Sequence, residues 1–236
     1  MSAYTTVPYT IAYANEEVTD PIYFEWHNHE YRLTYSKAQR GDWMHGILLG
    51  RVGELRDKPE RRGSERMRKL NRRRQWRCMD KLLCQVCGGR ASDSETGRVP
   101  WLLVETVFEE TGEDSGRTNA PPTCWSCIPK ALEECPMLQD KAILCTVASV
   151  TSAGVLADLY APGIDPMVPM LTHHNAFVAW DAHRYHACAL AVAQVVELHG
   201  MKRVGKQPPS RCETSRLAGG LPWPCEPPVW SYPRPG

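Results

Sequence analysis

The 236-residue chain has no apolar run of about 18 residues, so no ordinary membrane-spanning helix is expected. Its first residues, Met1-Ser-Ala-Tyr-Thr-Thr-Val-Pro-Tyr9, carry neither a basic n-region nor an apolar h-region. A signal peptide is therefore not expected, and the expected location is cytoplasmic, with no membrane partner. Also missing are a serine nucleophile elbow, a Gly-rich phosphate loop and a dinucleotide fingerprint, which removes the common sequence signatures of hydrolases, NTPases and Rossmann enzymes. Phenylalanine is scarce, three residues against eight Trp. Trp prefers sites where its ring is packed and its N–H can find a partner, which suits a binding surface or an ordinary core.

Net charge is nearly absent at +1, but it is unevenly spread. Residues 51–77 hold twelve Lys/Arg against four Asp/Glu, and the rest of the chain holds sixteen against 23. A basic zone is thus set against an acidic remainder. A hydrophobic fraction of 42% supports a real core, and a mean hydropathy of −0.42 keeps the chain on the polar side.

Ten cysteines are present. Four of them form Cys84-Gln-Val-Cys87 and Cys124-Trp-Ser-Cys127. Two Cys-x-x-Cys pairs supply four thiolates, the full tetrahedral shell of a structural Zn²⁺ site, so Cys84, Cys87, Cys124 and Cys127 are the expected zinc ligands. Gly88-Gly89 follows the first pair, where a tight knuckle needs permissive backbone. Two buried reduced pairs or two disulfides are the alternatives. Cys78 and Cys135 are the thiols that could replace a ligand, though a buried structural role suits both.

Along the chain, Val7–Tyr13 suggests a short strand. Ile22–Trp26 and Tyr31–Tyr35 suggest a β-hairpin turning through His27-Asn-His-Glu30. Within that turn His27, His29 and Glu30 are either metal ligands or simply polar. Asp42 is placed to cap a helix carrying Trp43, Met44, Ile47 and Leu48, weakened by Gly46, Gly50 and Gly53 and ended by Pro59.

A stronger helical pattern runs over residues 64–83, with Met67, Leu70, Trp76, Met79, Leu82 and Leu83 on one face. Arg66, Arg68, Lys69, Arg72, Arg73, Arg74 and Arg77 fill most other positions. Like charges at helical spacing repel, so this helix invites a polyanion, an acidic partner on a protein or in the same chain, or plain solvation. Arg68, Lys69, Arg72, Arg73, Arg74 and Arg77 are the candidate nucleic-acid ligands; Trp76 is placed either to stack on an exposed base or to anchor the helix in the core, and its position on the apolar face favours the core.

Trp101–Phe108 reads as a strand, Glu109–Ala120 as an acidic loop, and Ile128–Leu138 as a short helix starting on the second Cys pair. Residues 142–150 and 154–160 suggest a second hairpin through Ser152-Ala-Gly154. Asn175–Leu198, closed by Gly200, reads as a long core helix with Phe177, Trp180, Cys188, Val192, Val195 and Val196 as its stripe. His173 and His174 precede it, and Asp181, His183 and His186 lie on it. These five residues are the candidate catalytic or second metal site, against a reading as caps and surface histidines. Pro208–Gly236 contains eight prolines in 29 residues with Trp223, Trp230 and Tyr232 interleaved. Such a tail cannot form a helix or central strand and suits an extended linker or peptide ligand.

The stretch Asn71-Arg-Arg-Arg-Gln-Trp-Arg-Cys-Met-Asp-Lys-Leu-Leu-Cys-Gln-Val-Cys-Gly88, followed by Trp101-Leu-Leu103 and Pro121-Pro-Thr-Cys-Trp-Ser-Cys127, resembles a group of actinomycete proteins without an established activity. The resemblance spans roughly residues 66–163 and implies zinc and a bacterial cytosolic setting. The two Cys pairs are also similar to those of HNH-type nucleases, which staple a treble clef. No histidine lies between Cys87 and Cys124, and His173 and His174 are far downstream, so the HNH catalytic set is missing.

The expected fold is α+β, a zinc-stapled treble-clef-like module embedded between small β-hairpins and a long C-terminal core helix. Its segments are 1–60, 61–140, 141–205 and 206–236, gathered in one body because the hairpins are too small to fold alone. The expected function is non-catalytic nucleic-acid binding or regulation beside a structural Cys₄ zinc. An enzyme of specialised metabolism or of small-molecule or peptide modification, with a site near 173–186, and a protein-interaction adaptor are the alternatives.

Overall fold

The computed structural model describes residues 6–105, 115–138 and 141–205. The Pro- and Trp-rich tail lies outside them, as do residues 106–108 of the expected strand and 109–114 of the acidic loop. The fold is mixed α and β, mostly strands.

The chain begins with β1 (Ile11–Tyr13), the hairpin β2 (Ile22–His27) and β3 (Glu30–Tyr35), then β4 (Trp43–Met44) and β5 (Ile47–Leu49). The β2–β3 hairpin forms as the alternation predicts, in register from Ile22↔Tyr35 to His27↔Glu30. Asn28 and His29 both take positive φ, the backbone of a two-residue turn matched to strand twist. Phe24, Leu33 and Tyr35 bury against Leu48.

The helix expected after Asp42 is instead a second tight hairpin. A 3₁₀ turn covers Arg40–Asp42, and β4 turns through His45-Gly46, both at positive φ, into β5. The physical reason lies in the Asp42 carboxylate. It accepts the Gln39 N–H at 2.7 Å and holds Arg51 at 2.6 Å, closing a loop rather than capping a helix.

A short α1 (Pro59–Arg62) leads into β6 (Glu65–Leu70) and α2 (Arg72–Lys81). The helix expected over 64–83 is therefore half strand. β6 pairs antiparallel with β1, and the Asn71 side chain caps α2 by accepting the Arg74 N–H at 3.2 Å. Trp76 and Met79 are buried as the apolar face predicts, whereas Leu70 is exposed on β6; Cys78 is a buried thiol, and Leu82 closes α2 at positive φ.

Next come β7 (Val99–Val104), β8 (Ser115–Thr118) and α3 (Ile128–Glu134), then β9 (Ala142–Val147), β10 (Ser149–Ala161), β11 (Met170–Ala179), β12 (Ala189–His199) and β13 (Lys202–Arg203). The largest sheet runs β11-β10-β12-β5-β4. On its second edge β12 holds β5 in parallel at Leu190–Ala191 and β8 antiparallel from Val196 to His199. A smaller sheet runs β13-β9-β7.

The expected long helix over 175–198 is thus the end of β11, a 3₁₀ segment at His183–Cys188, and the central strand β12. Ala189, Ala191, Ala193 and Val195 alternate into the core, while neighbours on the other face are also largely covered. A strand buried on both faces loses its period-two signature and mimics an apolar helix.

The expected hairpin at Ser152-Ala-Gly154 is not a turn either. β10 runs straight through Gly154, where its pairing with β12 shifts register. A Cβ on Gly154 would lie 2.2 Å from the Val178 carbonyl oxygen, so only glycine admits this approach of β11.

The strands between the two Cys pairs do not form a treble-clef hairpin: β7 pairs with β9, and β8 with β12. β1–β6 and β5–β12 pairings also cross the boundaries expected near residues 60 and 140.

Candidate metal centre and cationic face

The first Cys pair lies just beyond α2. Cys84 N–H donates to Gly89 O at 2.7 Å and Gly88 N–H to Cys84 O at 2.8 Å, closing a knuckle. Gly88 sits at φ +77°, with the Tyr9 ring where a Cβ would be. Two backbone N–H groups then point at sulfur: Val86 at Cys84 Sγ and Gly89 at Cys87 Sγ, both at 3.4 Å. Such donors favour thiolates. Pro121-Pro122 brings in the second pair, and Gln85 N–H donates to Pro122 O at 2.9 Å. A 3₁₀ turn over Trp125–Cys127 runs into α3, so Cys127 precedes the helix as the sequence predicts.

The four sulfurs lie within 4.8 Å of one another, and Cys87 and Cys124 Sγ are 3.8 Å apart. A regular tetrahedron with metal–sulfur bonds of about 2.3 Å has sulfur–sulfur edges of about 3.8 Å. The donor set and its spacing therefore fit one metal ion. All eight described cysteines are free thiols, which sets the disulfide alternative aside for these pairs. Burial pushes the Cys84 thiol up. Burial also acts on Cys124, but contacts with Ser126, Cys127 and Cys84 outweigh it and bring that thiol down to about 7. Cys78 and Cys145 are pushed up to about 12, chiefly by burial, as inert core thiols. Cys135 ends α3 outside the cluster.

Cys84 belongs to a core cluster with Met79, Trp101, Cys145 and Leu198. The metal site thus staples α2, β7, β9 and β12 at one point. Trp101 is fully buried with its Nε1–H on Ala120 O at 2.8 Å, a packed use of the abundant Trp.

The cations expected on one helix separate into two groups. Arg74 is 1% exposed and cannot reach a phosphate, which corrects its place among the nucleic-acid ligands. Its fork meets Glu16 at 2.6 and 2.7 Å, and it also donates to the carbonyls of Tyr9 and Ile11. Burial works against the Glu16 charge. Arg74, the N–H groups of Leu55 and Tyr13, and Asn71 outweigh it and hold the carboxyl at about 2. Arg77 is tied to Glu54 at 2.6 Å and to the Tyr9 hydroxyl at 2.8 Å. Lys69 meets Glu17 at 2.7 Å, Arg73 lies 3.8 Å from Glu54, and the Arg72 Nε–H donates to Gly50 O at 2.7 Å.

The acidic intramolecular partner is therefore real for part of the run. Arg66, Arg68 and Lys69 on β6, with Arg73 at the start of α2, remain exposed. Glu16 and Glu54 were not legible as partners, because no local spacing links them to α2.

The five His/Asp candidates do not converge as a set; His183 and His186 alone meet, their rings edge-on at 5.0 Å. His173 and His174 sit exposed on β11, His174 Nδ1 lying 2.7 Å from Asp158 Oδ1. Asp181 and His183 are exposed around the 3₁₀ segment. His186 is buried, with Nδ1 2.6 Å from His45 O and Nε2 3.2 Å from Ala179 O, so both ring nitrogens are engaged by backbone. Among the described residues the four cysteines are the one group of metal-ligating side chains that converges. His27, His29 and Glu30 form an exposed turn.

Comparison with protein-family models, curated proteins and solved structures finds no match to this chain. Among the described residues no helix is long and apolar enough to cross a membrane.

Proposed function

We propose that this chain is a non-catalytic nucleic-acid-binding protein whose β6–α2 face is held in place by a structural zinc ion at Cys84, Cys87, Cys124 and Cys127. An all-sulfur shell suits Zn²⁺ and leaves no position for substrate, so the ion supplies fold rather than chemistry. Free thiols throughout the described residues suit a reducing compartment such as the cytoplasm.

The observation that carries the binding reading is β6 itself. Among the described residues it is paired on one edge only, with β1, and it presents Arg66, Arg68 and Lys69 at the surface beside Arg73. Arginine forks and a lysine along an extended strand match successive phosphates. The buried Arg74 and the tied Arg77 orient this face instead of contacting the ligand. Fluorescence anisotropy of the zinc-loaded protein with single-stranded and duplex probes tests the reading. Arg68→Ala/Lys69→Ala/Arg73→Ala is expected to weaken binding about a thousandfold, near tenfold for each charge-assisted contact. Unchanged affinity would overturn it.

A protein-interaction adaptor is the second reading, favoured by two apolar tips. Trp26 is 65% exposed on the β2–β3 hairpin, and Ile164, Met167 and Val168 project from the β10–β11 connection, which the Phe24 N–H joins through Pro166 O at 2.9 Å. A photocrosslinker at position 167 that captures one defined protein, absent with the crosslinker at position 81, would support it. Equal capture at both positions would not.

A further inference from the structure

A cavity of about 240 Å³ lies between β1, β6, the first Cys knuckle and α3. Ile11, Met67, Leu70, Val86, Ala131 and Met137 give it an apolar wall, and of these Leu70 and Met137 are exposed. One polar atom in the wall is unanswered. Thr6 Oγ1 is buried without a hydrogen-bond partner among the described residues, although the Thr6 N–H donates to Glu134 at 3.1 Å. A buried hydroxyl left alone is rare and calls for a partner. The cavity therefore suits an apolar group with one polar atom, which describes an indole. An engineered apolar cavity of about 150 Å³ takes benzene, so this larger one has room for a single indole.

The course of the chain supplies the occupant. β13 runs antiparallel to β9, with Arg203 opposite Cys145 and the Val204 N–H donating to Leu144 O at 2.9 Å. At Gly205 the chain is thus heading past the start of β9. There the Lys141 N–H donates to Leu138 O at 3.4 Å, and Leu138 lines the cavity. Thirty-one residues follow Gly205, and Trp223 is the eighteenth of them, in Leu221-Pro-Trp-Pro224. Eighteen residues reach at most about 60 Å, ample for a site beside the exit. A tether of this kind holds a side chain at roughly millimolar effective concentration, which a free molecule at micromolar concentration does not match.

We propose that this cavity is the docking site of the chain's own Leu221–Pro224 segment, with the Trp223 indole inside it and its Nε1–H donated to Thr6 Oγ1. Pro222 and Pro224 favour extended backbone on either side of the indole and bring no N–H that would need a partner. Trp230 is the other indole of this region, but Tyr232 stands two residues on. In an extended chain those two rings share a side and need two seats. Trp223 is followed at the same spacing by the small Cys225. The docked segment would cover Met67 and Leu70 on the strand that carries the exposed cations. The docking holds whether or not that face binds nucleic acid.

Cys135 lines the cavity as a free thiol, which makes Cys225 a reporter of the docked state. The zinc-loaded full chain is treated with diamide, which takes up the two hydrogens and two electrons of a thiol pair, and its disulfides are mapped by mass spectrometry. A Cys135–Cys225 link within one chain is expected, about tenfold or more over Cys135–Cys212, although Cys212 lies nearer Gly205. Trp223→Ala should remove that preference, and Thr6→Val should lower it several-fold. Trp230→Ala and Tyr4→Ala should leave it unchanged. Alkylation of Cys135 gives a second reading that needs no disulfide. Trp223→Ala should speed it several-fold, because the thiol is uncovered. No Cys225 preference, links only between two chains, or a Cys135 alkylation rate that Tyr4→Ala raises and Trp223→Ala does not, overturns the proposal.

Discussion

Glu16 and Arg74 stand 58 residues apart in sequence and meet in a two-pronged ion pair at 2.6 and 2.7 Å, with each side chain 1% exposed. Glu16 also accepts from Tyr13, Leu55 and Asn71, and Arg74 donates to two carbonyls. The pair therefore ties the N-terminal strand, the loop after β5 and α2 into one unit. Breaking one side of such a pair strands a buried charge. Arg74→Ala is expected to cost about 3–5 kcal/mol in urea unfolding, and Glu16→Leu/Arg74→Leu to recover much of it. A loss under about 1 kcal/mol would contradict the buried geometry.

Acid should test the same pair from the other side. Glu16 titrates at about 2 in the fold against an ordinary 4.5. A depressed folded value contributes stability that is fully present above the unfolded value and is lost as pH falls through the folded one. The melting temperature should therefore decline from about pH 4.5 toward pH 2. Glu54, lowered by the Arg77 hydrogen bond, acts in the same direction. Glu16→Gln is expected to be less stable at neutral pH and to show a shallower acid decline. An equally steep decline would assign the effect elsewhere.

Metal removal has a local and a global consequence. Cys84 shares a core cluster with Trp101 and Leu198, so chelation under reducing conditions should lower the melting temperature and alter the Trp101 near-ultraviolet signal together. Elemental analysis should give one zinc per chain. Cys84→Ser should lose it, while Cys135→Ser, outside the cluster, should keep it. Retention of zinc by Cys84→Ser would contradict the assignment.

Gly88→Ala probes the knuckle without touching a ligand. The new Cβ would meet the Tyr9 ring at 2.8 Å, and φ +77° disfavours any side chain. Tyr9 cannot retreat freely, because Arg77 donates to its hydroxyl and Arg56 lies over its ring. Competition with a chelator should show weaker zinc retention, about tenfold or more for roughly 1–2 kcal/mol of strain. Wild-type retention would mean that the knuckle tolerates the clash.

What could be read in advance follows the range of the signal. The Cys-x-x-Cys pairs are local and come together as their spacing predicts. The β2–β3 hairpin is also local, its alternation and the Asn28-His29 turn lying within fourteen residues. Asn71 carried a capping signal that divides β6 from α2, but the surrounding cations and apolar spacing run through it unbroken. β12 hid its strand character because side chains packed on both of its faces leave no polar stripe to count. The cation run was visible as charge, yet which cations are neutralised depends on Glu16, Glu17 and Glu54, partners brought close only by the fold.

The most direct test of the central claim is anisotropy of the zinc-loaded chain with short single-stranded and duplex nucleic acid across a salt series. Four cations, Arg66, Arg68, Lys69 and Arg73, are exposed, and Lys69 would exchange its Glu17 carboxylate for a phosphate on binding. If they neutralise about four phosphates, log K should fall against log salt with a slope near −3, and Arg68→Ala/Lys69→Ala/Arg73→Ala should flatten it toward −1. Absence of binding at low salt, or a slope the variant leaves unchanged, would contradict the nucleic-acid reading.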